Sequence, residues 1–480
     1  MVRGEEDAPR EACGLFGVLA PGRSVPQLVF DGLYALQHRG QESAGMAVSD
    51  GEEIIVVKDM GLVTNVFDER VLRGLSGHLA LGHTRYSTTG SSTWRNAQPV
   101  YRSVDGAGFA LGHNGNLTNT AELADQAGML PGMVTSDSDL VAELVARELP
   151  GELEKPGELE AALVRVLPRL AGGFSLLLMD LDHLIGVRDP NGFRPLCLGR
   201  LGDGWVLASE TPALDVVGAE FVRELEPGEV LVVGPDGLRS YHPFPEETVE
   251  PRFCVFEFVY FARPDARLLG QEVHGVRRRM GELLADAAPV EADLVTGVPE
   301  SGVPAAEGYS RRSGIPFGDT LVKNRYIGRT FIAPDPASRE LGARRKYGPL
   351  RDNIAGQRLV VVDDSIVRGT TQRAVVNMLR EAGAAEIHLR VSSPPFAWPC
   401  FYGIDTPDRH ELIGATRSVE EIRAFLGVDS LAYLSVEDLE RAIDAPGAGL
   451  CFACLTGHYP VPVPVTLSKR VLEGTPLGGS

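Results

Sequence analysis

The sequence predicts a protein of at least two α/β domains, the second built on a mostly parallel sheet. Three observations lead there. The chain has 480 residues, 44% hydrophobic and 23% charged, and single cores stop growing at roughly 250–300 residues. A polar stretch at 240–252, SYHPFPEETVEPR, carries three prolines, a pattern that favours extended chain over helix or sheet interior. After it, helical patterns alternate with short apolar runs, as βα units on a parallel sheet require.

Taken in order, residues 1–12 (MVRGEEDAPREA) show no structural pattern, and Cys13 follows at the head of CGLFGV. By position alone Cys13 is a buried core thiol, an interdomain disulfide partner or a nucleophile. Glu5, Glu6, Asp7 and Arg10 exclude the apolar segment that a lipid anchor would need upstream. The nucleophile reading requires removal of residues 1–12. The α-amine of Cys13, with a pKa of about 7.7–8, then accepts the thiol proton.

LALGHTRYSTTG (79–90) reads as a strand running into a polar turn that presents Arg85 and Thr88. Arg85 suits bidentate binding of an α-carboxylate. FALGHNGNLTN (109–119) is a second strand entering a loop, where the Asn114 amide and the Gly115 N–H suit an oxyanion hole. TSDSDLVAELVARELP (135–150) opens a helix at which Asp137 either caps the N-terminus or pairs with a substrate ammonium. FSLLLMDL (174–181) is strand-sized, far short of the ~20 residues that span a bilayer.

In the second half, EVHGVRRRMGELLADAA (272–288) and TTQRAVVNMLREAG (370–383) read as helices. DLVTGVP (293–299), RLVVVDD (358–364) and EIHLRVSS (386–393) read as strands. SVEE at 418–421 forms a capping box and SVED at 435–438 a close variant. The strand Leu359–Asp363 brings Asp363 and Asp364 to its carboxyl end, where open α/β sheets bind ligands. Backbone N–H groups around Arg368, Gly369 and Thr370, with the Ser365 and Thr371 hydroxyls, suit a terminal phosphate at the following helix N-terminus. The two aspartates suit ribose hydroxyls or a metal shared with them. The loop lacks the Gly-Lys-Ser/Thr ending of a Walker motif.

A formal charge of −19 argues against a nucleic-acid partner, which needs a basic face. Six scattered cysteines without a signal-peptide pattern fit a reducing cytoplasm. Cys254, Cys400 and the C-x-x-C pair Cys451 and Cys454 admit zinc, a redox pair or a [4Fe–4S] cluster, and their spacing leaves the choice open. Cys197 suits a core.

CGLFGV, LQHRGQESAG (36–45), GHTRYST, NAQPV, GHNGNL and SDSD, in this order, resemble the class II glutamine amidotransferase domain over about 13–240. That resemblance implies an N-terminal-nucleophile αββα sandwich that hydrolyses glutamine to glutamate and ammonia. It makes Cys13 the nucleophile, Arg85, Thr88 and Asp137 the glutamine-binding residues, and Asn114 with Gly115 the oxyanion hole. VVVDDSIVRGTT resembles the phosphoribosylpyrophosphate (PRPP) motif of type I phosphoribosyltransferases. Together with GVPESGVPAAEGY (297–309), LVKNRYIGRTFI (321–332), RELGARRKYGPLRDNI (339–354) and SSPPFAWPCFYGID (392–405), these segments resemble the amidophosphoribosyltransferase family over nearly the whole chain.

The family resemblance implies glutamine-dependent conversion of PRPP to 5-phosphoribosylamine, glutamate and pyrophosphate, the first committed step of de novo purine (IMP) synthesis. It implies a leader at 1–12, a linker at 241–253, a phosphoribosyltransferase parallel-sheet domain at 254–460 and a tail at 461–480. Magnesium is expected near Ser301, Asp363 and Asp364, with Lys323, Arg325, Arg329 and Lys346 neutralising pyrophosphate. The branch with a leader implies a [4Fe–4S] cluster on Cys254, Cys400, Cys451 and Cys454. A homotetramer inhibited by purine nucleotides is also implied. At FIAPDP the chain departs from its relatives, which commonly have glutamine in place of Ala333. A second class, a non-catalytic nucleotide-sensing regulator on the same fold, would need an added basic DNA-reading domain, which neither end offers.

Overall fold

The strand Gly14–Leu19 buries all six of its residues, so no polar alternation marks it in the sequence. Its side chains nevertheless alternate between two cores. Leu15 and Leu19 pack with Leu81, Ala110, Leu177 and Leu207, whereas Phe16 and Val18 pack with Leu33 and Leu214. A strand covered on both faces is apolar throughout. The structure is a computed structural model that describes residues 13–86, 89–104, 107–149, 157–324, 344–404, 408–463 and 472.

The first core lies between two antiparallel sheets. One has the strand order Glu220–Glu224, Cys197–Leu201, Gly204–Ala208, Gly14–Leu19, Leu79–Arg85, Ser43–Ser49, Ile54–Met60. The other runs Gly237–Tyr241, Val230–Gly234, Leu184–Arg188, Gly172–Met179, Ala107–Leu117, Val100–Val104. Helices Pro26–Ala35 and Thr211–Val217 cover the outer face of the first sheet. Helix Pro26–Ala35 comes close enough that a Cβ on Gly32 would meet the Phe16 ring at 2.3 Å. Helices Asp137–Glu148 and Glu158–Val166 cover the second through Leu144 and Leu163 against Phe109 and Leu176. The result is the expected αββα sandwich.

The chain leaves the second sheet at Tyr241 and enters the other half at Phe253. There four parallel strands run in the order Leu294–Gly297, Arg358–Asp363, Glu386–Val391, Ser430–Tyr433. Helices Val273–Ala287 and Val303–Ser313 pack one face, and Thr370–Glu381 and Val419–Leu426 pack the other. Ser418 and Glu421 form the reciprocal capping box. At Ser435 only half of it forms: its side chain accepts from the Asp438 amide, and the Asp438 carboxylate turns to Arg441 at 2.6 Å. Two short ladders flank this sheet, an antiparallel pair Leu321–Lys323 with Tyr347–Pro349 and a parallel pair Phe253–Cys254 with Leu450–Cys451. No helix among the described residues is long and apolar enough to cross a membrane.

Candidate active sites

Strand pairing sets Gly14 opposite Thr84, which brings Cys13 beside the end of the strand that carries Arg85. The Cys13 thiol is buried, donates to the Tyr86 carbonyl at 3.3 Å and accepts from the Tyr86 amide at 3.5 Å. Burial pushes its pKa up to about 11; the Tyr86 amide and Arg85 oppose the rise, and Asp137 and Glu42 add to it. Arg85 and Asp137, the expected carboxylate and ammonium clamps, therefore both lie within electrostatic reach of the expected nucleophile. Arg85 is buried and donates to the carbonyls of Ser91 at 3.2 Å and Thr89 at 3.4 Å. Thr88 lies outside the described residues.

Asp137 is not the helix cap. Ser136 takes that role by accepting from the Asp139 amide, and Asp137 begins the helix proper. Buried there, its carboxylate accepts from the amides of Ser138 at 2.9 Å and Leu117 at 3.4 Å, and lies 3.5 Å from His113 Nδ1. Burial alone would raise the Asp137 pKa; the His113 imidazole and the two amides outweigh it and hold the group below the usual carboxylate range.

Asn114 and Gly115 are also placed differently from expectation. The strand continues through both of them to Leu117, because it stays paired with Gly172–Met179, Asn114 opposite Ser175 and Gly115 opposite Phe174. Gly115 has φ +145°, and a Cβ there would lie 2.0 Å from the Gly173 carbonyl, so only glycine fits. Both polar atoms of the buried Asn114 amide lack a hydrogen-bond partner among the described residues, an arrangement that suits a group awaiting a ligand.

Sequence reading missed His83 and His113. His83 is buried, with Nε2 2.9 Å from the His113 carbonyl, and burial pushes its pKa down to about 3, which keeps it neutral. A signal was present: both strands contain the same A-L-G-H, at 80–83 and 110–113.

At the second site, Asp363 ends its strand and Asp364 begins the turn. Asp364 accepts from the Ser365 hydroxyl at 2.5 Å and from the Ser301 hydroxyl. Asp363 accepts from the Asp364 amide at 3.0 Å and from Gln372 Nε2 at 3.2 Å. Burial first and, at Asp363, the adjacent Asp364 charge push both carboxyls up, with Lys346 pulling the other way. Gly369, at φ +80°, stands at the N-cap of helix Thr370–Glu381 without a side-chain cap, leaving Thr370 and Thr371 as the first helical residues. The Arg368 side chain pairs with Glu411 at 2.8 Å. Lys323 pairs with Glu300 at 3.2 Å on the flanking hairpin. Arg325, Arg329 and Ala333 lie outside the described residues, as do residues 1–12.

The four cysteines expected to act together gather. Cys254 and Cys451 face each other in the parallel ladder, and Cys254, Cys400 and Cys451 all raise the pKa of the buried Cys454 thiol. The Tyr402 amide donates to Cys400 Sγ at 3.4 Å, and backbone amides of Phe256 and Ala453 act on Cys254 and Cys451. Amides aimed at sulfur are the surroundings that a ligating thiolate needs. Among the described residues no set of three or more His, Cys, Asp or Glu side chains is arranged to hold a metal ion. Cys197 lies apart, buried against the Ala208 carbonyl.

Residues 83–216 match the family of the glutamine amidotransferase domain, and residues 269–393 that of the phosphoribosyl transferase domain. The chain is 53% identical to the amidophosphoribosyltransferase of Mycobacterium leprae, covering 97% of this chain and 85% of that one. It is 49% identical to that of Synechococcus elongatus, over 97% and 95%. Among solved structures it is similar to the glutamine PRPP amidotransferase of Bacillus subtilis complexed with ADP and GMP. That likeness has a TM-score of 0.87 at 44% identity and covers 96% of this chain and all of that one. A structure described as the allosteric regulatory enzyme of purine biosynthesis matches with a TM-score of 0.88 at 44% identity, over 97% and 100%.

Proposed function

The chain belongs to the amidophosphoribosyltransferase family, and we infer from this that it makes 5-phosphoribosylamine from PRPP with glutamine as its nitrogen source. Membership sets aside the non-catalytic regulator. The observation that carries the two-site reading is the pairing of a buried thiol in reach of Arg85 and Asp137 in one domain with the Asp363–Asp364 turn in the other.

Cys13 is the nucleophile once residues 1–12 are removed. Its α-amine takes the thiol proton, Sγ attacks the side-chain carbonyl of glutamine, the resulting α-ammonium passes that proton to the departing nitrogen so that ammonia leaves, and water, deprotonated by the same amine, releases glutamate from the thioester and restores the thiol. Arg85 holds the α-carboxylate and Asp137 the α-ammonium, and Thr88 is the third glutamine-binding residue of this reading. The Asn114 amide and the Gly115 N–H receive the oxyanion. In the second domain the 5-phosphate sits in the loop from Ser365 to Thr371, and Asp363 and Asp364 take the ribose hydroxyls. Lys323, Lys346 and Arg325 neutralise the leaving pyrophosphate while ammonia displaces it from the anomeric carbon.

Two groups complete this reading. The paired carboxylates with Ser301 suit Mg²⁺, which keeps several waters and takes only one or two protein carboxylates; when bound it supplies positive charge to pyrophosphate and ribose oxygens. The nearness of Cys254, Cys400, Cys451 and Cys454 supports a [4Fe–4S] cluster, which these thiols would hold by turning toward one another from their present arrangement and which would supply a structural cross-link. The relative complexed with ADP and GMP supports inhibition by purine nucleotides, and the same reading takes the protein as a cytoplasmic homotetramer. The test is synthesis of phosphoribosylamine from PRPP, Mg²⁺ and glutamine by anaerobically purified protein. Absence of product from folded, processed protein contradicts the reading.

A further inference from the structure

Four buried ionic side chains meet where the two halves touch: Arg39, Arg194, Glu210 and Glu257, none more than 1% exposed. Their formal charges cancel. Arg39 donates Nη1 to Glu210 and, at 2.9 Å, to Glu257 Oε2, and Nη2 to Glu257 Oε1 at 2.8 Å. Its Nε donates to the Cys13 carbonyl at 3.0 Å. Arg194 joins Glu257 at 3.2 Å and the Tyr402 carbonyl at 3.3 Å. Glu210 also takes His38 Nε2 at 2.8 Å and the Arg263 amide at 3.0 Å.

A buried ion pair is a weak device for gluing domains, since apolar packing of equal volume serves as well or better. What apolar packing lacks is direction. Glu257 belongs to the second half and begins the turn Glu257–Phe261. Arg277 spans that turn, donating to the carbonyls of Phe258 near its start and Ala262 just past its end, both at 2.8 Å, and lies within electrostatic reach of Asp364. The planar Arg39 fork, fixed on Glu257, thus aims one N–H at the residue assigned as the nucleophile.

We propose that Arg39 and Glu257 are a positioning pair, through which the second domain fixes the backbone of Cys13. The inference rests on Cys13 being the nucleophile. Holding the Cys13 carbonyl fixes the Cys13–Gly14 peptide plane and with it the Cα–C axis from which the amine and thiol project, and so narrows where they stand relative to Asn114 and the glutamine clamp. Lysine in place of Arg39 keeps a charge but loses the fork and its aim.

The test uses full-length processed enzyme carrying Arg39→Lys, Glu257→Gln, Arg194→Lys or Cys13→Ala. Arg39→Lys is expected to lower kcat for glutamine hydrolysis about tenfold or more, because small misplacement of a nucleophile is costly. Its KM for glutamine and its ammonia-dependent synthesis should stay within about twofold, since neither clamp nor phosphoribosyl loop is touched. Alkylation of Cys13 by chloroacetamide should slow in parallel. Glu257→Gln should move the same way, and Arg194→Lys, which leaves all Arg39 contacts in place, should retain the glutamine kcat. An unchanged glutamine kcat in Arg39→Lys overturns the proposal. So does an equal fall in both activities, an Arg194→Lys loss matching Arg39→Lys, or failure of both Arg39→Lys and Glu257→Gln to fold. If Cys13→Ala itself retains glutamine hydrolysis, the nucleophile assignment fails instead.

Discussion

With residues 1–12 attached, the Cys13 α-amine is tied up in a peptide bond and cannot act as its base, and burial pushes the thiol pKa up to about 11, so very little thiolate forms at pH 7. Protein that keeps its leader should therefore hydrolyse no glutamine, and intact-mass analysis paired with a glutaminase assay checks this. After removal, the rate should rise with pH through about 7.7–8, because the deprotonated amine is the active form; a flat profile across that range contradicts the amine as base. Asp364→Asn should impair synthesis from glutamine and from ammonia alike while basal glutamine hydrolysis survives, and loss of that hydrolysis in folded protein would displace Asp364 from its assigned site. Cys13, Arg85 and Asp137 were legible in the sequence because each sits where a strand or helix ends, where chemistry usually lies. His83 and His113 were not, since a buried histidine after an apolar run looks like core. Arg39 was hidden for a different reason: its partners lie 171 and 218 residues away, and no local pattern announces such pairs.

Helices Val273–Ala287 and Val303–Ser313 cross on reciprocal glycines. A Cβ at Gly281 would lie 1.8 Å from the Ala305 carbonyl, and one at Gly308 would lie 1.9 Å from the Arg278 carbonyl. Gly308→Ala should force the helices apart and cost about 1–3 kcal/mol by overpacking, read as a lower denaturation midpoint; an unchanged midpoint contradicts the close crossing. Helices Val273–Ala287 and Thr370–Glu381 and three of the four parallel strands of this half were legible to within about two residues at each end, since their apolar patterns are local, whereas helix Val303–Ser313 and strand Ser430–Tyr433 were not called. The strand through Asn114 and Gly115 was mistaken for a loop because its polar, glycine-bearing end reads as a turn; long-range pairing with Gly172–Met179 decided otherwise. The cysteine segments form a third element, joining the start of the second domain to its end through the Cys254–Cys451 ladder. Cys451→Ser should give colourless protein with both activities lost together, whereas Cys197→Ser should keep broad absorption near ~400 nm from iron-bound thiolate and sulfide. Active wild type that contains zinc and lacks this band contradicts the cluster.

Over the whole molecule, the segment from Cys400 to Gly403 lies against the glutamine domain. The Asn116 amide donates to the Phe401 carbonyl at 3.0 Å, the Phe193 and Tyr402 rings stack at 4.4 Å, and a Cβ on Gly403 would meet Gly115 Cα at 2.9 Å. The proposed cluster shell thus abuts the strand that carries the oxyanion-hole residues, which is why loss of the cluster should reach both sites. Composition and the polar crossing at 240–252 made two domains legible; how they dock was not, because docking depends on buried pairs between residues far apart in the chain. The central claim is that one domain makes ammonia and the other consumes it. Phosphoribosylamine synthesis by Cys13→Ala, measured side by side with glutamine and with ammonia as nitrogen source, tests it most directly. Synthesis from ammonia should remain within about twofold of wild type while synthesis from glutamine disappears, since the acceptor site needs only ammonia. Equal loss of both in a folded variant would contradict it.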